Sequence, residues 1–314
     1  MRYRAWLLPD VGDDTTMPLL LGTFAGGSVE LTYADERHRN LLATYSGMRI
    51  TVEPEAKTPK VSPELPSQNP ATWRWEGFIA NLPTPGDPAH ASFLSHVRHL
   101  LAREPTLQAN QMPGGLALWL TRNVAKLAEW ASAAQGNWQG AQTSEGEAAQ
   151  IHRHLLRILE YVDGLFYYTR DVPAGSPWLV DRVAGKIGLL NSVPDQNPPA
   201  LLTHVALHLT GLTSSPGHTE QQKQLVLLME KVIEQMQTDM QQVRQDAVAL
   251  VKKTPQQLQQ PESRTTLNHL VLLTSRLTSG WLDTASGTNL GGVVWMSSRL
   301  QQLATISLLA SKHA

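Results

Sequence analysis

The stretch "MRITVEPEAKTPKVSPELPSQNPATWRWEGFI" at residues 48–79 decides how the chain is divided. Its start alternates Met48, Ile50 and Val52 with Arg49, Thr51 and Glu53, the period of a strand with one buried face. Its end alternates again, with Trp73, Trp75 and Gly77 on one side and Arg74, Glu76 and Phe78 on the other. Two flanks of the same period imply neighbouring strands of one sheet. The proline-rich middle is then a loop inside a domain, and the boundary falls later.

Upstream, "YRAWLL" at residues 3–8 stops at "PDVGDD", where proline, glycine and aspartate supply turn geometry. "MPLLLGTF" and "SVELTY" flank "AGG", which reads as a hairpin, and "NLLATYS" leads into the quoted stretch. Short strands separated by turn signals predict a small antiparallel β-sandwich. Downstream the period changes at "ANLPTPGDP", residues 80–88. Phe93, Leu94, Val97, Leu100 and Leu101 form a helical stripe, followed by Leu116, Leu120, Val124, Leu127 and Ala131, then by Ile151, Leu155, Ile158, Leu159 and Val162.

"PWLVDRVAGKIGLL" and "NPPALLTHVALHLTGL" read as shorter helices, the second with prolines in its first turn. A long helix over residues 219–253 carries Leu225, Leu228, Met229, Val232, Met236, Met240, Val243, Ala247 and Leu250 on one face. Thr219 and Gln222 make its capping box. "TSGWLDTASGTNLGG" reads as a loop between the two closing helices "RTTLNHLVLLTSRLTSGWLD" and "GGVVWMSSRLQQLATISLLASKH". The expectation is an α+β multidomain chain: a β-sandwich over residues 1–82 and an α-helical bundle over residues 83–314.

Composition removes several function classes. The 314 residues include no cysteine, so there is no disulfide, thiolate metal site or cysteine nucleophile. A formal net charge of -1, with basic residues scattered, gives no footprint for nucleic acid. No run of about 18 apolar residues predicts a membrane span. The first residues lack a small-residue cleavage site, so they do not read as a signal peptide. Nucleophile-elbow, phosphate-loop and dinucleotide-binding motifs are absent, which predicts a non-enzymatic chain with no bound cofactor. Nine tryptophans against four phenylalanines imply that indoles anchor packing contacts where their N–H finds an acceptor.

Tyr3, Trp6, Leu7, Gly22, Phe24, Thr51, Val52, Glu53, Pro54, Pro59, Pro63 and Pro66 occur in an order that resembles the extracytoplasmic domain of the anti-sigma-K factor (RskA) family, over residues 3–80. The resemblance implies the sensing part of a membrane-anchored, non-enzymatic regulator. In such a protein a sigma factor is held by a cytosolic segment and released by regulated proteolysis, and an envelope protein or protease is the outer partner. No such segment precedes Tyr3, so the chain reads either as a piece of a longer protein at the outer membrane face or as a soluble reuse of the domain. The helical part lies outside the resemblance.

Residue chemistry offers two further candidates. His204 and His208 are four apart, share a helix face and are placed to chelate a metal. His152 and His154, two apart, point to different faces, and His96 and His99 are three apart. A metal- or haem-binding bundle using His152, His154, His204 or His208 is therefore the alternative function, with a soluble ligand-binding scaffold as a third. The second candidate is a loop rich in aromatics and acids, with Asp163, Tyr167, Asp171, Trp178 and Asp181 as ligand residues. Structural turns and caps are the competing reading of those acids. Met229, Met236 and Met240 read as core.

Overall fold

The computed structural model describes residues 1–53, 65–284 and 287–312. An antiparallel sheet precedes a helical bundle, as the two hydrophobic periods require. Four strands come first: β1 (Arg2–Pro9), β2 (Leu19–Phe24), β3 (Tyr45–Glu53) and β4 (Trp73–Phe78). The bundle contains α1 (Phe93–Leu101), α2 (Pro105–Ala109), α3 (Leu116–Gly136), α4 (Glu145–Asp163), α5 (Leu201–Ser214), α6 (Glu220–Val251), α7 (Pro255–Leu258) and α8 (Pro261–Ser279). A hairpin of β5 (Trp281–Asp283) and β6 (Thr288–Leu290) leads to α9 (Gly292–Leu303) and then β7 (Leu309–Ala310).

The main sheet has the order β2-β1-β3-β4-β7. β3 and β4 are antiparallel neighbours, with Gly47 opposite Phe78 and Ile50 opposite Trp75, so the proline-rich stretch connects adjacent strands. Pro54, Pro59 and Pro63 lie outside the described residues, whereas Pro66 is buried. Trp6 is wholly buried and its indole N–H donates to Thr51 Oγ1 at 3.0 Å, while the Thr51 hydroxyl donates to Glu53 Oε1 at 3.1 Å. Trp73, Trp119 and Trp138 likewise donate to the backbone carbonyls of Ser67, Pro113 and Leu258.

Several local expectations need correction. "SVELTY" is not a strand: Leu31 instead packs over Gly22 of β2, using a surface bare of any side chain. "PWLVDRVAGKIGLL" is not a helix, because its backbone is committed elsewhere. The N–H groups of Leu179 and Val180 go to the Glu160 carboxylate, and those of Leu189 and Leu190 go to the carbonyls of Tyr161 and Val162. The prolines before α5 precede the helix and do not occupy its first turn. "TSGWLDTASGTNLGG" holds the β5–β6 pair, and the last helix ends at Leu303 so that β7 can reach β4.

The helical stripes are otherwise where periodicity puts them. Thr219 caps α6 with Gln222 in a reciprocal capping box, and Met229, Met236 and Met240 are fully buried. Leu228 is the exception, 39% exposed, because α6 turns Val226, Ile233 and Val251 inward beside the main stripe. Among the described residues no helix is long and apolar enough to cross a membrane.

Candidate functional site: a buried histidine and carboxylate cluster

Two helices supply the imidazoles. Ser92 caps α1 in a reciprocal box with Ser95, which starts the helix so that Val97 and Leu100 face the core. His96 and His99 then stand one turn apart on the side facing α5. On α5, Leu201, Val205, Leu209 and Leu212 are buried, and the i, i+4 spacing carries His204 and His208 onto the face that meets α1. The rings meet in one group: His208 lies 4.9 Å from His99, 5.0 Å from His204 and 5.2 Å from His96 between ring centroids. Gly211 makes the approach possible, since a Cβ there would clash with Cε1 of the His96 ring.

The fifth member is Glu104, only 3% exposed. It caps α2, with Oε2 accepting from the Leu107 N–H at 2.6 Å, and Pro105 sets the first turn behind it. Its other oxygen lies 3.7 Å from His204 Nε2. One ligating atom each from His99, Glu104 and His208 falls within 4.8 Å of the other two.

Burial pushes the pKa of all four histidines below the usual imidazole range, most strongly at His208, where the neighbouring His99, His204 and His96 add to the effect. They are therefore neutral near pH 7, the form that ligates metals. Three ring nitrogens, His99 Nδ1, His204 Nδ1 and His208 Nε2, are buried with no hydrogen-bond partner. The buried Glu104 carboxyl sits among these rings with one oxygen bonded to the Leu107 N–H and the other turned toward His204. A cleft of about 270 Å³, bordered by Leu94, Arg98, His99, Arg103 and Gln108, reaches His99 from solvent.

Of the histidines singled out in the sequence, His204 and His208 lie in this group, while His152 and His154 do not. His152 Nε2 pairs with the Lys253 carbonyl at 2.9 Å, and His154 stacks on Trp130 at 5.5 Å. The aromatic and acidic segment is tied into the framework. Asp163 and Asp171 share the Arg244 guanidinium, with Asp163 also accepting from Ser192 Oγ at 2.9 Å. Burial pushes Asp163 up against the pull of Arg244. Asp181 accepts from the N–H groups of Val183 and Ala184, Trp178 meets Tyr168 edge to face, and Tyr167 donates its backbone N–H to Gly164.

Sequence reading missed Glu104, and with it the cluster. The available signal was two histidine pairs, each at helical spacing, plus a Glu-Pro step five residues after His99. Comparison of the chain with protein-family models, with curated proteins and with solved structures gives no match.

Proposed function

We propose that the chain binds a divalent first-row transition-metal ion between α1 and α5, held by His99, His208 and Glu104 with His204 beside them. The observation that carries this reading is the convergence of the buried Glu104 carboxyl with one ring nitrogen each of His99 and His208, within 4.8 Å of one another, in a cluster where three buried ring nitrogens have no partner. A cation there would be ligated by the carboxylate together with one ring nitrogen each of His99 and His208. Imidazole and carboxylate donors without sulfur favour ions such as Zn²⁺, Fe²⁺, Co²⁺ or Mn²⁺. A haem fits the geometry less well, since a macrocycle needs a slot between its axial ligands and these rings touch one another.

The test is cobalt(II) titration of the chelator-treated protein. One equivalent should bind with visible d–d bands, and His99→Ala and His208→Ala should each abolish the bands. The competing reading is a proton shared between Glu104 and His204. If wild-type protein takes up no cobalt or zinc at micromolar concentrations, the metal reading fails.

We infer a second reading from the sequence resemblance alone, some of whose residues lie in the sheet. Trp6, Thr51 and Glu53, three of the residues that carry the RskA resemblance, form one buried hydrogen-bonded chain across β1 and β3. On this reading the sheet belongs to the outer, sensing portion of a membrane-anchored anti-sigma regulator, and the metal site is part of the signal input. The coding sequence on either side is the test: a spanning helix and a sigma-binding domain support it, and an unrelated neighbouring sequence removes it.

A further inference from the structure

His96 stands in the imidazole group but outside the set of converging ligand atoms. Its Nδ1 lies 2.9 Å from His208 Nδ1. Two ring nitrogens at that distance form a hydrogen bond only if one carries a proton and the other a lone pair, and the direction of the bond decides what His208 presents at its far edge.

The two directions are not equivalent. If His96 donates, the His208 proton sits on Nε2, and a buried N–H points at nothing, because His208 Nε2 has no partner. If His208 donates, Nε2 carries a lone pair, and an under-used acceptor is tolerated where an orphaned buried N–H is not. His96 loses nothing by accepting, since neither of its nitrogens is both buried and unpartnered. The His96 ring is also fixed in place, packed on the bare backbone of Gly211.

We propose that His96 is a positioning residue for the metal site, accepting the Nδ1–H of His208 and so holding His208 in the tautomer that leaves a lone pair on its unpartnered Nε2 for a metal. This assignment rests on the metal reading for its purpose, but the tautomer itself is a property of the metal-free protein. Outer partners of this kind fix the orientation and tautomer of a ligating histidine, and their loss costs roughly 10- to 100-fold in metal affinity.

Long-range ¹H–¹⁵N spectra of histidine-labelled, metal-free protein read the tautomer directly, with His208 assigned by the signal lost in His208→Gln. The expected result is an Nδ1–H pattern for His208. In His96→Phe, which keeps a ring and removes the acceptor, that pattern should shift toward Nε2–H and cobalt affinity should fall about 10- to 100-fold. In His96→Asn, whose side-chain oxygen takes the place of the imidazole Nδ1, both should return most of the way. An Nε2–H pattern in wild-type protein overturns the assignment, as does a His96→Phe protein with unchanged tautomer and affinity. An Nδ1–H pattern in a protein that takes up no cobalt upholds the bond direction and overturns the metal reading beneath it.

Discussion

Replacing Glu160 with glutamine should flatten the acid side of the protein's stability profile. Glu160 sits in the last turns of α4, wholly buried, and its two oxygens accept the Leu179 N–H at 2.8 and 3.0 Å and the Val180 N–H at 3.0 Å. Those bonds favour the charged form, but burial outweighs them and pushes the acid from 4.5 up to about 7. Below pH 4.5 the carboxyl is protonated whether the chain is folded or not, so its contribution is fully present. Between pH 4.5 and 7 the unfolded chain releases the proton while the folded chain keeps it, and stability falls as pH rises. The gap corresponds to about 3 kcal/mol at about 1.36 kcal/mol per pH unit. Urea unfolding of wild type and Glu160→Gln at steps between pH 4.5 and 8 measures it. The difference between the two should change by about 3 kcal/mol across the window, with wild type losing ground as pH rises. Parallel profiles would refute the claim that burial dominates this carboxyl.

Other outcomes follow from single contacts. Gly211→Ala should drive the His96 ring away from His208 and weaken cobalt binding at least about tenfold, with unchanged helical circular dichroism. Trp6→Phe leaves the buried Thr51 hydroxyl without its indole donor and should cost about 1–2 kcal/mol in urea unfolding. Met236→Ala opens a cavity at a fully buried position and should cost about 2–5 kcal/mol. Thr219→Ala removes half of the α6 capping box and should cost about 1 kcal/mol.

The parts of the fold legible in the sequence are those set by local periodicity. The α3 stripe of Leu116, Leu120, Val124, Leu127 and Ala131 is fully buried, and the alternation either side of the proline-rich stretch placed β3 and β4 side by side. What escaped reading depends on distant partners. Residues 177–190 have helical composition, yet Glu160 and the end of α4 claim their N–H groups first. "TISLLA" continues the apolar pattern of α9, but the open edge of β4 offers it a better set of hydrogen bonds. The site divided along the same line. The spacing of His204 and His208 is visible within one helix, while their meeting with His99 and Glu104 depends on how α1 and α2 pack more than a hundred residues earlier.

The pairing of β7 with β4 also dictates an order of events during synthesis. Trp75 finds its partner in Ala310, 235 positions later, so β4 leaves the ribosome with one edge unpaired and keeps it so until residues 309 and 310 have emerged. At about 5–20 residues per second the wait lasts tens of seconds or less, during which a strand carrying Trp73, Trp75 and Phe78 is a template for stray pairing. Four strands of the sheet precede the bundle, and the fifth pairs only once α9 has been made.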